Sequence, residues 1–493
     1  MISKRKPPTR RIDINIPTST SPPLSPPSPL SLPPPPLNTS LSLVWDFGAA
    51  GCTGWGIEAM NFVIPLASRL PNIGVIVGDP CPGSPKDDEM VMTGLQLRRN
   101  SPTYEILASR EPIDIWISHK PPTRFPRFPY RGLVTFEQRP RYVIGRSMLE
   151  VDSLPPEWVA RSEEVDEIWA PTTFVERLFL QAGVPPEKVH LVPEPIDTAL
   201  FDPAVTKVEP LPPCPVTPLA LPIPGRTADT FVFLSVFKWE TRKGWDLLVR
   251  AFVEEFGPHE DVALVMHTYL YGDADPRNRG KAERLLLRYL RDEGLVKEDD
   301  TPEAAIARDF PHAPLGPDPT DPGASLLGLP SVAMPRIVIH TDEVPVAQMP
   351  ALYKAANAFV LPTRGEGFGL PIVEAMAMGL PAIVTAWSGP TDFLTSHTGY
   401  PLPIEGLRNA TGREFRPEQR WAMPSITHLR RIMRAVFTNR EQAAEIGRRA
   451  RQAVVERFDR RVILEDVVLP RLALIGARLN SAPPAANGVH PPD

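Results

Sequence analysis

Lys238, Arg242 and Lys243 stand together in the run Ser235-Val-Phe-Lys-Trp-Glu-Thr-Arg-Lys-Gly-Trp245. Cations at the start of a helix oppose its dipole, and a bound anion would relieve that mismatch. A solvated basic turn is the plain alternative. A second run, Pro362-Thr-Arg-Gly-Glu-Gly-Phe-Gly-Leu-Pro-Ile-Val-Glu-Ala-Met376, carries three glycines between a strand and a helix. Glycines there allow close approach of a ligand, and the helix start offers unpaired N–H groups to a phosphate. Glu366 lies in that loop and Glu374 in the first turns of the helix, so both can face one cleft mouth. Carboxylates suit sugar hydroxyls because each accepts several hydrogen bonds. A glycine-rich turn with acids near a helix start explains this run structurally. Two such turns at neighbouring strand ends favour anion binding over either structural account.

The elements around these turns alternate. Leu43–Phe47, Ile73–Val77, Ile113–Ile117, Glu167–Ala170 and Val189–Val192 read as buried strands in a first body. Thr173 and Glu176 form a capping-box pattern for a helix ending at Gly183. Phe231–Val236, Val262–Met266, Ile337–Ile339, Ala358–Leu361 and Ala382–Val384 repeat the pattern in a second. Helices are expected over 244–256, 371–378, 425–437, 440–458 and 460–478, with Pro371 in a first turn, where its missing N–H is harmless. Strand–helix alternation makes the fold α/β, two facing Rossmann-like domains with parallel sheets and an inter-domain cleft. That cleft is the default site.

Composition sets the remainder. Prolines number 64 of 493 residues and cluster; residues 1–40 hold 12 of them. The expected organisation is a disordered Pro/Ser-rich segment at 1–42, a first domain at 43–200 and a Pro-rich linker at 201–228. A second domain follows at 229–480, with a disordered tail at 481–493. A third proline cluster, near 311–335, reads as a surface insertion. Net charge is −5, with no basic excess for a polyphosphate backbone, so nucleic acid is not an expected partner. Cys52, Cys81 and Cys214 are too few and scattered for a disulfide framework or zinc cluster. No apolar run reaches membrane-spanning length, and a cytoplasmic protein is expected, with organelle targeting by residues 1–40 as the alternative. Arg124, Arg127 and Arg131 alternate with Phe125, Phe128 and Tyr130, reading as a solvated loop first and a peripheral membrane contact second. Asp273-Ala-Asp275 spells a metal-binding acid pair in an unsuitable context, so no metal is expected.

The run Glu366-Gly-Phe-Gly-Leu-Pro-Ile-Val-Glu374, followed by Ala-Met-Ala-Met-Gly-Leu-Pro, resembles the group 1, or family 4, retaining glycosyltransferases, whose fold is called GT-B. Lys238 and Lys243-Gly244 match that family's basic pair, with Lys where the family usually has Arg. Val192-Pro-Glu-Pro-Ile-Asp197 is similar to the segment closing its first domain. The resemblance implies a nucleotide-sugar donor as substrate, no separate cofactor, retention at the transferred sugar and an acceptor of unknown type: glycan, lipid or protein. It implies that Lys238 and Lys243 neutralise the donor diphosphate, and that Gly367, Phe368 and Gly369 approach phosphate and sugar. Glu366 would touch the transferred sugar and Glu374 the ribose. Gly54 and Gly56, in Gly54-Trp-Gly-Ile-Glu58, resemble the turn that closes over the phosphates. His119, at a strand end, matches a histidine that the family places beside the reacting sugar, although a lone histidine is commonly structural. By the same resemblance, the last helix crosses back to the first body. The alternative function is a catalytically weak nucleotide-sugar-binding scaffold or sensor.

Overall fold

The computed structural model describes residues 35–49, 54–70, 72–78, 113–131, 135–206, 227–269, 281–295, 334–341, 344–412 and 415–481. The linker prolines from 207 to 224, the 311–333 insertion, the three cysteines, Asp273 and Asp275 lie outside them.

Six parallel strands form the first sheet. β1 (Leu43–Ala49) sits between β2 (Ile73–Gly78) and β3 (Ile115–His119). Beyond β3 follow β4 (Tyr142–Arg146), β5 (Glu167–Ala170) and β6 (Val189–Leu191). The second sheet is built alike. β7 (Phe231–Lys238) pairs on one side with β8 (Val262–Tyr269), and β8 with β9 (Arg336–His340). On its other side stand β10 (Ala358–Leu361), β11 (Ala382–Thr385) and β12 (Tyr400–Leu402). In each sheet the strand order reverses at the first strand, and the carboxyl ends there form a crevice where open α/β sheets bind ligands. The fold is α/β with two Rossmann-like halves.

The strands are near-continuous apolar runs because helices cover both faces. Phe231, Phe233 and Leu234 of β7 pack with Leu248 and Phe252 of the helix Trp245–Glu255. The capping-box expectation is corrected. Thr172, not Thr173, caps the helix Thr173–Gln181, its Oγ1 accepting from Val175 N at 3.3 Å. Thr173 instead gives its hydroxyl and its backbone N–H to Asp392 of the second body, at 2.6 and 2.7 Å.

Two boundaries also shift. Leu41 is buried against the glycine at 476, and Leu37 packs beside it, so residues 35–42 belong to the first body rather than to a disordered segment. The helical run from Arg460 to Ser481, α-helical apart from a π-turn at Ile463–Val468, leaves the second body. Ile463, Leu464, Val468, Leu472, Ile475 and Leu479 bury themselves with β1 and β3. A domain spanning 229–480 therefore ends near Phe458.

A hairpin without a sequence signal joins the bodies. Its strands, β13 (Ile404–Asn409) and β14 (Arg420–Pro424), are antiparallel. Arg420 pairs with Asp152 at 2.7 Å, Arg416 with Glu157 at 2.7 Å, and Trp421 is buried against Leu149 and Val151.

Candidate active site

The basic turn after β7 and the glycine turn after β10 meet because those strands are neighbours. Arg364 N donates to Arg242 O at 2.6 Å, and the Arg242 guanidinium donates to Gly365 O at 2.6 Å. Lys243 Nζ lies 2.7 and 2.8 Å from the two carboxylate oxygens of Glu366, and Arg242 lies 3.2 Å from one of them. Burial works to raise the Glu366 carboxyl, but Lys243 and Arg242 outweigh it and hold it below the ordinary range. Burial, then Arg242, pushes Lys243 down from the usual lysine value, against the pull of Glu366. Arg242 is raised, since Glu150, Glu366 and Glu240 overcome its desolvation.

Lys243 does not sit on the helix. It closes a short 3-10 turn, Thr241–Lys243, and the helix begins after Gly244, whose φ of 71° a side chain rarely adopts. Lys238 pairs with Glu240 instead of joining Glu366. Arg242 thus takes the second cationic place beside Glu366. In the sequence it stands only as one of three clustered cations, with nothing to set it above Lys238.

The glycines serve a contact that the sequence did not reveal. A Cβ at Gly365 would lie 2.0 Å from the carbonyl oxygen of Glu150, and one at Gly367 2.7 Å from Met148. Both partners are on the first body. Gly367 O also accepts from Thr172 Oγ1 at 3.0 Å. Gly369 precedes the helix Leu370–Ala377 with φ 111°. The Phe368 ring packs into the core with Phe393 and Phe458, so any ligand contact of this residue is through its backbone. Gly365→Ala is therefore expected to push the two bodies apart, raising the radius of gyration in X-ray scattering. Misplacing opposed groups by about 1 Å can cost about 100-fold in turnover. An unchanged scattering profile would sink this expectation.

Glu374, on the helix Leu370–Ala377, is buried and accepts from Tyr353 Oη at 2.6 Å. Burial raises its carboxyl to about 7, with the Tyr353 bond working the other way. On the first body, Gly54 opens the helix Gly54–Ala67 and Gly56 is buried in its first turn. Glu58 of the same helix receives Arg146 Nε at 2.6 Å and approaches His119 Nε2 at 3.0 Å. His119 is 1% exposed, with Trp55 and Trp45 beside its ring. Burial first, then Arg146, lowers its pKa against the opposing Glu58, so the imidazole is neutral. Glu58 and Arg146 carried no sequence signal beyond their types.

Residues 316–410 match the family model described as glycosyl transferases, group 1. Solved structures share the architecture. HepE of Anabaena, described in complex with UDP and glucose, superposes with a TM-score of 0.55 over 90% of this chain and 100% of its own, at 12% identity. The sucrose-phosphate synthase of Thermosynechococcus elongatus gives 0.52 over 90% and 99%, at 14% identity. The fold is GT-B. By the match over residues 316–410 and by fold, the chain is similar to the group 1 glycosyltransferases. A D-inositol 3-phosphate glycosyltransferase from Acidothermus cellulolyticus is 24% identical over 209 residues, 42% of this chain and 35% of the relative. The O-antigen chain mannosyltransferase B of Escherichia coli is 55% identical over 40 residues, 8% of this chain and 10% of the relative. The matches thus span 35% or less of these curated relatives. Among the described residues no helix is long and apolar enough to cross a membrane.

Proposed function

We propose that this chain is a group 1 glycosyltransferase that moves a hexose from a nucleoside-diphosphate sugar to an acceptor hydroxyl, with retention and without a metal ion. The observation that carries the reading is the convergence of Lys243, Arg242 and the start of the helix Leu370–Ala377 on the glycine turn at the inter-domain mouth. An ammonium has three donors, and Glu366 takes two of them from Lys243, leaving one for a phosphate oxygen. As the sugar–phosphate bond breaks, charge grows on the diphosphate, and preorganised cations stabilise it there. Lys238 extends the cationic edge. Gly54, Gly56 and Gly367 to Gly369 frame the mouth, and Glu366 meets the transferred sugar. His119, buried beside Glu58 and the Trp55 and Trp45 rings, is assigned to the sugar end by the family resemblance alone. Retention rests on the family resemblance alone.

UDP-glucose is the first donor to try, because structures of Anabaena HepE are described with UDP, glucose and UDP-glucose. Incubation with UDP-, GDP- and ADP-hexoses and a panel of acceptors should release nucleoside diphosphate, and do so in a chelator. Binding without release in every pairing would favour the scaffold. Activity lost to the chelator and restored by manganese would move attention to Asp273 and Asp275.

A further inference from the structure

We infer that Tyr353 is a positioning residue, whose phenol fixes one oxygen of Glu374 so that the other meets a cis-diol, the ribose of the donor nucleotide. This rests on the proposed donor reading and on the ribose contact that the family resemblance gives Glu374; it adds the positioning by Tyr353 and a pH dependence. Tyr353 comes from the helix Met349–Lys354, which precedes β10, and is fully buried with its ring packed against Phe201 and Phe359. It has no freedom to follow Glu374, so the 2.6 Å bond to Oε2 sets the carboxyl plane. Among the described residues, no partner takes Oε1. Glu374 lies one turn into the helix whose start carries the glycine turn.

A diol donates two hydrogen bonds, and an ionised carboxyl accepts them better than a neutral one. Burial holds Glu374 near 7, and the Tyr353 bond is the influence pulling it down. Other charges nearby are engaged: Glu366 by Lys243 and Arg242, Arg451 by Asp202 and the carbonyl of Ala377, and Lys354 by the carbonyl of Thr206. Nucleotide binding therefore requires the ionised form, and releases a proton where Glu374 is neutral beforehand. Between pH 6 and pH 8 affinity should rise about tenfold, following the ionised fraction.

The test is calorimetric titration of the full chain with UDP, GDP and ADP, each beside its 2′,3′-dideoxy form, at pH 6, 7, 8 and 9. Wild type is expected to bind the ribonucleotide more tightly as pH rises and the dideoxy form weakly at every pH. Tyr353→Phe should move the rise to higher pH, weakening binding at pH 7 and recovering it at pH 9. A merely structural role would lower affinity equally at all four. Glu374→Gln should flatten the profile, and melting curves report whether each variant is folded. A flat wild-type profile, or a parallel loss in Tyr353→Phe, overturns the inference while leaving the donor reading intact. If wild type binds none of the three diphosphates, the donor reading itself falls, and this inference with it.

Discussion

Lys243→Ala should lower transfer by about 100- to 1,000-fold, the usual cost of removing one preorganised group that meets developing charge. The lost cation matters more in the transition state than in the ground state, so turnover should fall further than donor affinity. Stability should fall as well. A lysine on a helix start could be removed without penalty, but Lys243 lies before the helix and holds Glu366 at 2.7 Å. Its loss leaves a buried carboxylate with Arg242 as its remaining cation at 3.2 Å, at a cost of about 1–3 kcal/mol. The pH dependence follows. The depressed pKa of Glu366 supplies stability that is complete above its unfolded value and is lost as pH falls through the folded one. In Lys243→Ala that depression shrinks, so variant and wild type should differ most in melting temperature near neutral pH and converge in acid. Wild-type turnover with an unchanged melt would refute the diphosphate assignment.

Particular residues show where the sequence was legible. β10 is Ala358–Leu361, as the apolar run predicts, and the helix predicted from Pro371 begins at Leu370 with Pro371 in its first turn. Buried parallel strands and proline-started helices are local signals, written within a few residues. The meeting of the two turns was legible for the same reason, since Lys243 and Glu366 each belong to a strand–loop–helix run. What failed to show depends on contacts across long separations. Gly365 reads as room for a ligand, and only the folded pair of bodies reveals the Glu150 carbonyl against it. The β13–β14 hairpin is half exposed and polar, so no period marks it, yet it fastens the cleft through Arg420 and Trp421. Arg242 and Lys238 look equivalent in the sequence. The direction each side chain takes from its turn decides that Arg242 meets Glu366 while Lys238 meets Glu240.

Truncation after Phe458 should unfold the first body while the second survives. The chain returns to the first body beside Ile196: Ile196 N donates to Phe458 O at 2.8 Å, and Arg460 N to Ile196 O at 2.8 Å. Asp459 then caps the last helical run through Arg461 N at 2.9 Å. Beyond it, six buried Ile, Leu and Val side chains complete the core over β1 and β3. Removing the packing of one such side chain costs about 2–5 kcal/mol, so the six together, about 12–30 kcal/mol, match or exceed the about 5–15 kcal/mol that stabilises a domain. Glu167, fully buried, would also lose Arg471, which holds it at 2.7 Å. The second body keeps its own core, because the helix Arg440–Phe458 packs there through Ile446, Val454 and Phe458. A melt of the truncated chain should therefore lose one transition and retain the other. Limited proteolysis should leave a fragment beginning near residue 227. Two intact transitions would mean that the run from Arg460 to Ser481 only lies on the first body without completing it.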